Sequence, residues 1–293
     1  MKRIGFMKGK RSTVSGKKLA LHCKKWRLVA DILNDFAFGL DILAPHFPRS
    51  FFAPFSCFSS SLRAIVGVAG GATRTCVTRH QAKQENLADV SAKDGSQETL
   101  VNVISLLISL FMLPAVDQSP VLIWMLSITF TCIHLYANYR AVKSLKFDTL
   151  NKKRLSYCIN KFITEKRVPS VLEGNEEEPL FLNLGPSKDF GCPLNKVTEV
   201  DKNLQKTTLE PKHGRWIASF VVEKNKAFVS LKTEATWKDQ LEAAIAVEFR
   251  SILGSWPSSE IMTEFKEKMK EKKWNLDFGQ LEYDEWRFRE KNE

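Results

Sequence analysis

Polar and apolar positions fall in blocks along this chain, and each block predicts an element. From Trp26 to Leu43 the sequence WRLVADILNDFAFGLDIL has a helical period. At about 100° per residue, Asp31, Asn34, Asp35 and Asp41 fall within an arc of about 120°. Leu28, Ile32, Leu33, Phe36, Leu40 and Leu43 occupy the remainder, and Pro45 and Pro48 end the helix. Ser50 to Thr73 is apolar and small, broken only by Arg63. Within it Ser56, Ser60, Ala64, Gly67 or Val68, and Gly71 recur at helical spacing, a stripe that permits close helix packing in bilayers and in soluble helix pairs alike. Residues 74–98 are polar and charge-balanced and read as a partly helical loop, with Ser91 or Ser96 capping the next helix and Gln97 and Glu98 in its first turn.

Thr99 to Val116 then carries no charge over 18 residues, and Gln118 to Tyr139 none over 22, with a turn at residues 117–120. Both runs are close to the roughly 20 residues a spanning helix needs, so they predict a helical hairpin over about residues 99–139 that either enters a bilayer or is buried in a soluble core. The first helix is expected to stop near Leu113, before Pro114. Basic residues are absent from the turn, number four between Arg74 and Lys93, and number six between Arg140 and Arg154. The positive-inside tendency places both hairpin ends on the cytoplasmic side or its equivalent.

Polar residues inside the hairpin line up. Asn102, Ser105 and Ser109 share one face of the first helix, and Ser127, Thr131, His134 and Asn138 one face of the second. Folding about the turn sets Asn102 level with His134, Ser105 with Thr131 and Ser109 with Ser127. Such a ladder is either structural glue, at about 0.5–2 kcal/mol per contact, or a polar path for a small solute with His134 as its titratable element. Asp31, Asp35 and Asp41 pose the same choice between a solvated helix face and a cation or proton site in a bundle.

Beyond residue 150 the pattern changes. LNKKRLSYCINKFITEKRV is a basic amphipathic helix, and residues 168–212, rich in Pro, Gly, Asn and charge, read as a linker. RWIASFVVEKNKAFVSLK reads as two strands, followed by helices at about 237–253 and 258–273. The organisation expected is a basic arm at 1–27, a helical membrane-associated domain at 28–150, a basic helix and linker at 151–212, and a small α+β module at 213–293. The fold class is mainly α.

The net charge of +11 resembles a nucleic-acid signal until it is located. Ten of the 44 Lys and Arg lie in residues 1–27, which hold no Asp or Glu, so the rest of the chain has 34 basic against 33 acidic residues. The excess is an N-terminal arm: a solvated tail, a segment held by anionic lipid, or an organelle presequence. No nucleic-acid partner is indicated; the bilayer, and a protein partner or second copy at the small-residue helix faces, are. The six cysteines show no recurring spacing, which points to a reducing intracellular setting and to neither a disulfide framework nor a metal site. Signatures of nucleotide loops, zincins and serine hydrolases are absent, so no catalytic residue, metal or cofactor is predicted.

Three strings carry a resemblance: KKWRLVADILND at Lys24–Asp35, AGGATRTCVTRHQAKQENLADVSAKDGSQETLVN at Ala69–Asn102, and HLYANYRAV at His134–Val142. They resemble the root UV-B sensitive (RUS) family over roughly Lys24 to Leu150. The C-terminal half, through EYDEWR at Glu282–Arg287, resembles the tail of animal-type members more loosely. The resemblance implies an integral membrane protein without an established reaction, whose plant relatives are associated with seedling development, UV-B responses, auxin transport and vitamin B6 homeostasis. It marks Asp31, Asn34, Asp35, Gly70, Gly71, Thr73, Arg74, His80, Gln81, Asp89, Lys93, Asp94, Gln97 and Glu98 as motif positions without assigned roles. Residues 1–23 do not resemble the Gly-rich segment that opens the family's domain, which implies a chain lacking that part. The function expected is support of solute transport or membrane organisation. The alternatives are an adaptor acting through the 74–98 loop and the C-terminal module, or an enzyme linked to pyridoxal metabolism.

Overall fold

The computed structural model describes residues 4–8, 22–83, 85–117, 119–181, 187–198, 206–211, 214–281 and 286–290. It is mainly helical and divides into two compact units, one of residues 15–145 and one of residues 146–293 joined by residues 1–14.

The first unit holds four long helices: α1 (Cys23–Leu43), α2 (Phe52–Gln81), α3 (Leu87–Val116) and α4 (Pro120–Ser144). α1 and α2 pack antiparallel through small side chains. Ala30 and Ala37 of α1, Ala44 just after it, and Ser59, Ala69 and Thr73 of α2 are buried. The Ser59 hydroxyl donates to the Ala37 carbonyl at 3.3 Å, and Cys23 Sγ meets the Thr73 carbonyl at 3.5 Å. Both pairs are 14 residues apart on each helix, so the two backbones stay in register over about four turns. The stripe expected to pack, Ser56, Ser60, Ala64, Gly67 and Gly71, is instead on the open side. A Cβ added at Gly67, Gly70 or Gly71 would meet nothing within 4 Å, so no close approach requires those glycines.

Two further expectations are corrected. The 74–98 segment is not a loop: α2 continues to Gln81 and α3 starts at Leu87, leaving 82–86 as the link on which an adaptor loop would have to rest. The polar run is therefore the first turns of α3 rather than its cap. Ser96 donates to the Ala92 carbonyl at 2.7 Å within the helix, and Asn86 holds the N-cap position. Pro114 lies inside α3, which ends at Val116, and α4 opens with Ser119 accepting from the Leu122 N–H at 3.4 Å.

The second unit is built on a sheet centred on β6 (Lys226–Lys232). β5 (Trp216–Val221) pairs with it antiparallel through a tight turn in which Asn225 takes φ +43°, a left-handed conformation Asn tolerates. β4 (Lys206–Leu209) borders β5. The other edge of β6 is shared by β3 (Ser187–Phe190) and β8 (Trp286–Glu290), both parallel to it, and β1 (Ile4–Lys8) closes the sheet antiparallel to β8. Residues 4–8 of the expected arm are thus a strand of this unit, Cys23–Arg27 open α1, and 1–3 and 9–21 lie outside the described residues. A separate short parallel pair joins β2 (Thr149–Asn151) to β7 (Asn275–Gln280).

Alternation along the hairpin sends Trp216, Ala218, Phe220, Ala227, Val229 and Leu231 to one face, against α8 (Trp237–Leu253), α5 (Lys152–Glu165) and α9 (Ser259–Glu271). Phe162, Phe249 and Phe265, one from each of these helices, meet edge to face with centroids 5.3–5.9 Å apart. On the other face Ile217 and Phe228 pack with Phe288 and with Leu194 and Val197 of α7 (Leu194–Thr198). α8 starts where Asp239 accepts from the Thr236 N–H at 2.7 Å and stops at Gly254, φ +73°.

Part of the expected linker is core. Arg154, 1% exposed, bonds Glu178 at 2.7 Å and the Thr149 carbonyl at 2.8 Å, and Asn151 donates to the same carboxylate. The Asn175 amide exchanges two bonds with the Phe147 backbone, at 3.0 and 2.8 Å. Nearby α6 (Val171–Glu176) brings Gly174 against Trp274, whose indole donates to the Pro169 carbonyl at 2.9 Å. Residues 182–186, 199–205 and 212–213 of the linker lie outside the described residues.

Gly174→Ala tests this packing. Ala is the better helix former by about 1 kcal/mol, but its Cβ would sit 2.7 and 2.9 Å from the Trp274 ring, and overpacking of that kind costs about 1–3 kcal/mol. The expected outcome is a lower unfolding midpoint of the second unit by thermal denaturation; an unchanged or raised midpoint would show that Trp274 yields freely. A surface cluster sets an acid limit. Arg167 bonds both Glu173 and Glu165, and these bonds hold Glu173 below its usual value, as the Lys161 bond, aided by Arg167, does Glu165. Depressed carboxylates contribute stability that is complete above about pH 4.5 and is lost as pH falls through their folded values. Arg167→Met should lower stability slightly near pH 7 and leave it unchanged near pH 2, so that the acid limb of pH-dependent unfolding is flatter; an equal loss at both pH values would show that the ion pairs are not its cause.

Candidate binding groove

Two of the three aspartates of α1 are turned inward, while Asp41 stays exposed. Side-chain exposures of Asp31 and Asp35 are 14% and 11%, whereas Phe36 and Phe38 are 53% and 52% exposed. A solvated acidic face is therefore corrected to carboxylates that meet partners. Asp35 Oδ2 bonds His134 Nδ1 of α4 at 2.9 Å, and Asn138, one turn further along α4, bonds His134 Nε2 at 2.8 Å. Asp41 pairs with Arg63, the single charge in the apolar part of α2, whose guanidinium also donates to Ser59 at 3.0 Å. Asp31 has Arg27 at 4.0 Å, and its buried Oδ2 has no hydrogen-bond partner.

Between α1, α3 and α4 lies a groove of about 500 Å³. Asn34, Asp35, Thr131 and His134 line its polar end, with Ser109 and Ser127 between the helices. Phe38, Ile42 and Phe130 form one wall, and Met112, Leu113, Val116, Ile123 and Leu126 the apolar end toward the α3–α4 turn. From Ile123 to His134 the groove runs about 16 Å along α4. His46, in the turn after α1, and Trp124 of α4 meet with their rings tilted, centroids 6.2 Å apart.

The expected ladder is divided by this arrangement. Ser109, Ser127, Thr131 and His134 come together at the groove; Asn102 and Ser105 stay on the exposed side of α3, and His134 is answered by Asp35 rather than Asn102. The Ser109 hydroxyl donates to the Ser105 carbonyl at 2.8 Å within its own helix. The polar spacing of α4 located Asn138 and His134, but nothing in the sequence separates the groove's apolar wall from other apolar positions of the same helices.

The motif positions fall into another arrangement at the opposite end of α2. Arg74 bonds Asp94 at 2.7 Å and Glu98 at 2.6 Å, one turn apart on α3, and so clasps the two helices beyond their short link. Thr73 is buried and donates to the Ala69 carbonyl at 2.8 Å. His80 is half-buried in the last turn of α2, which Gln81 ends. Asp89 sits in the first turn of α3, at the positive end of its dipole, and Lys93 and Gln97 are exposed. Among the described residues no group of three or more metal-ligating side chains occurs and no disulfide is formed.

Residues 6–166 match the family model described as a vitamin B6 photo-protection and homoeostasis domain, and 167–260 match the C-terminal region of the root UVB sensitive proteins. The chain belongs to the root UVB sensitive family. Its relatives include RUS family member 1 of Dictyostelium discoideum, 36% identical over 67% of this chain and 39% of that protein. Protein root UVB sensitive 3 of Arabidopsis thaliana is 41% identical over 53% of this chain and 35% of that protein, and protein root UVB sensitive 6 is 30% identical over 78% and 46%. The chain thus spans about a third to just under half the length of these relatives. No solved structure matches it. The family match includes residues 6–23, which stood outside the resemblance read from the motifs, and its internal boundary at 166–167 falls within the second compact unit rather than at 145–146.

The two contact types should separate in magnitude. His134→Leu removes a hydrogen bond to a carboxylate and leaves Asp35 facing an apolar group, a loss of about 1.5–3 kcal/mol. Arg74→Ala removes two exposed ion pairs of about 0–1 kcal/mol each. Thermal unfolding of the purified chain in detergent should show the larger drop for His134→Leu; the reverse order would place the main tie of the bundle at the Arg74 clasp.

Proposed function

We propose that the helical unit lies in a membrane and that its groove holds a small solute. The observation that carries the first part is α3, of whose 30 residues none is buried. Eleven of its large apolar side chains are exposed, Phe111 to 82%. Burying such a side chain gains about 1.5–3 kcal/mol, so leaving even half of the eleven in water would forgo about as much as the 5–15 kcal/mol that typically holds a domain folded. α2, α3 and α4 are each long and apolar enough to cross a bilayer. Charge supports one orientation: Lys25, Arg27, Arg79, Lys93, Arg140 and Lys143 lie at the helix ends away from the turns, where Arg49 is the single Lys or Arg.

The groove supports the second part. It joins an Asp–His pair to an apolar channel at a size typical of small-molecule sites, and ionisable groups inside helical membrane bundles mark solute or proton paths. Within a family whose domain carries a vitamin B6 homoeostasis description, binding or passage of a small solute is the function this geometry serves best.

The test is topological. Asp117→Cys in the α3–α4 turn and Glu85→Cys in the α2–α3 link, each expressed in the full chain, are probed in sealed and permeabilised vesicles with an impermeant maleimide after alkaline carbonate washing. Retention in the membrane with the two added cysteines labelled from opposite sides is expected. Release by carbonate, or labelling of both from one side, would mean that α3 does not cross.

A further inference from the structure

The groove is asymmetric in charge as well as polarity. Asp35 and Asp31 are one turn apart on α1; His134 bonds Asp35, Arg27 lies 4.0 Å from Asp31, and the uncharged Asn34 lines the groove's polar end with Asp35. The Asn138 amide nitrogen is turned to His134 Nε2, which accepts it when the ring is neutral with its proton on Nδ1, donated to Asp35. In that state His134 satisfies the geometry of Asp35 without cancelling its charge. The groove lining thus holds one carboxylate, Asp35, and neither Lys nor Arg, while Asp31, one turn away and outside the lining, adds a second carboxylate with Arg27 at 4.0 Å. An anion entering here would meet like charge, and a neutral molecule would bring Asp35 no counter-charge beyond its bond to His134. A single ammonium balances the site and supplies donors to Asp35, Asn34 and Thr131. The rest of the groove, through Leu126 and Ile123 to Leu113 and Val116, offers no polar partner except Ser109 and Ser127 and suits a hydrocarbon body.

We propose that the groove between α1, α3 and α4 binds a single-chain amine drawn from the bilayer, its ammonium at Asp35 and its apolar chain along α4 toward the turn. The assignment rests on the reading of the unit as membrane-embedded and solute-binding, and it names the ligand class of that site.

The test uses the full chain in phosphatidylcholine nanodiscs with tritiated dodecylamine as probe, and dodecanol and dodecanoate as competitors of equal chain length. Saturable dodecylamine binding that neither competitor displaces is expected. Asp35→Asn should weaken it at least tenfold. Because that change also alters the α1–α4 contact, Ser127→Phe serves as a second variant: it fills the channel, leaves the Asp35–His134 pair in place, and should abolish binding. Asp94→Asn, an exposed carboxylate change remote from the groove, should bind as the parent does, separating the site from general attraction of amines to acidic residues. Equal displacement by all three compounds, or full binding by Asp35→Asn, overturns the proposal. Binding of dodecanol or dodecanoate blocked by Ser127→Phe, with dodecylamine excluded, overturns the amine assignment and leaves a solute groove. Absence of Ser127-sensitive binding for all three overturns both.

Discussion

The helical unit depends on a constraint imposed by α1: carboxylates set among apolar neighbours need partners, and two of its three aspartates find one on another helix. Asp41 takes Arg63 of α2, and Asp35 takes His134 of α4. These contacts account for features that look arbitrary along the chain, such as a lone arginine in an apolar segment and a lone histidine in an uncharged run. They also set the helix arrangement. With Asp31 and Asp35 directed inward, α1 uses alanines to approach α2 and leaves Phe36 outward, the reverse of a helix on the surface of a water-soluble domain. The groove is a consequence, since Asp35 is held at the α4 side and α3 covers the channel only in part.

The second unit solves its polar burial differently. Arg154 and Glu178 are both almost fully buried, and their pair is surrounded by bonds from Asn151 and to the Thr149 carbonyl, so few donors or acceptors are left over. A buried ion pair satisfied in this way contributes less to net stability than to fixing one arrangement, because either partner alone would be strongly unfavourable. Here it binds the first turn of α5 to the residues after α6, and Asn175 repeats the device with the Phe147 backbone. The sheet and the aromatic trio from α5, α8 and α9 then supply the apolar core.

Family membership and the two-unit organisation bear on one another. The two family models together cover residues 6–260, and the β8 strand that pairs with β1 lies beyond them. The polar motif shared with the family divides physically: Thr73, Arg74, Asp94 and Glu98 hold α2 to its neighbours, whereas Asn34 and Asp35 reach the groove. Two separate motif strings thus serve different ends, the 69–102 string helix packing and the 24–35 string a cavity. Gly70 and Gly71, by contrast, have no packing reason among the described residues.

Local periodicity was sufficient for what is local. The bounds of α1, the β5–β6 hairpin with Asn225, and α8 and α9 follow from spacing, capping and turn chemistry that a few neighbouring residues complete. It misjudged residues 82–98 because a run of charged and small residues is equally compatible with a loop and with the exposed start of a long helix; what favours helix is the Arg74 clasp, a contact 20 and 24 residues distant. It read 168–181 as linker because Gly, Pro and Asn signal irregular backbone but say nothing of burial, which Trp274 and Arg154 impose from elsewhere. Which face of α2 packs, which partner His134 takes and where a cavity opens depend on helices brought together from distant positions. Periodicity can show that a helix has two faces; only a neighbouring helix decides which of them is inside.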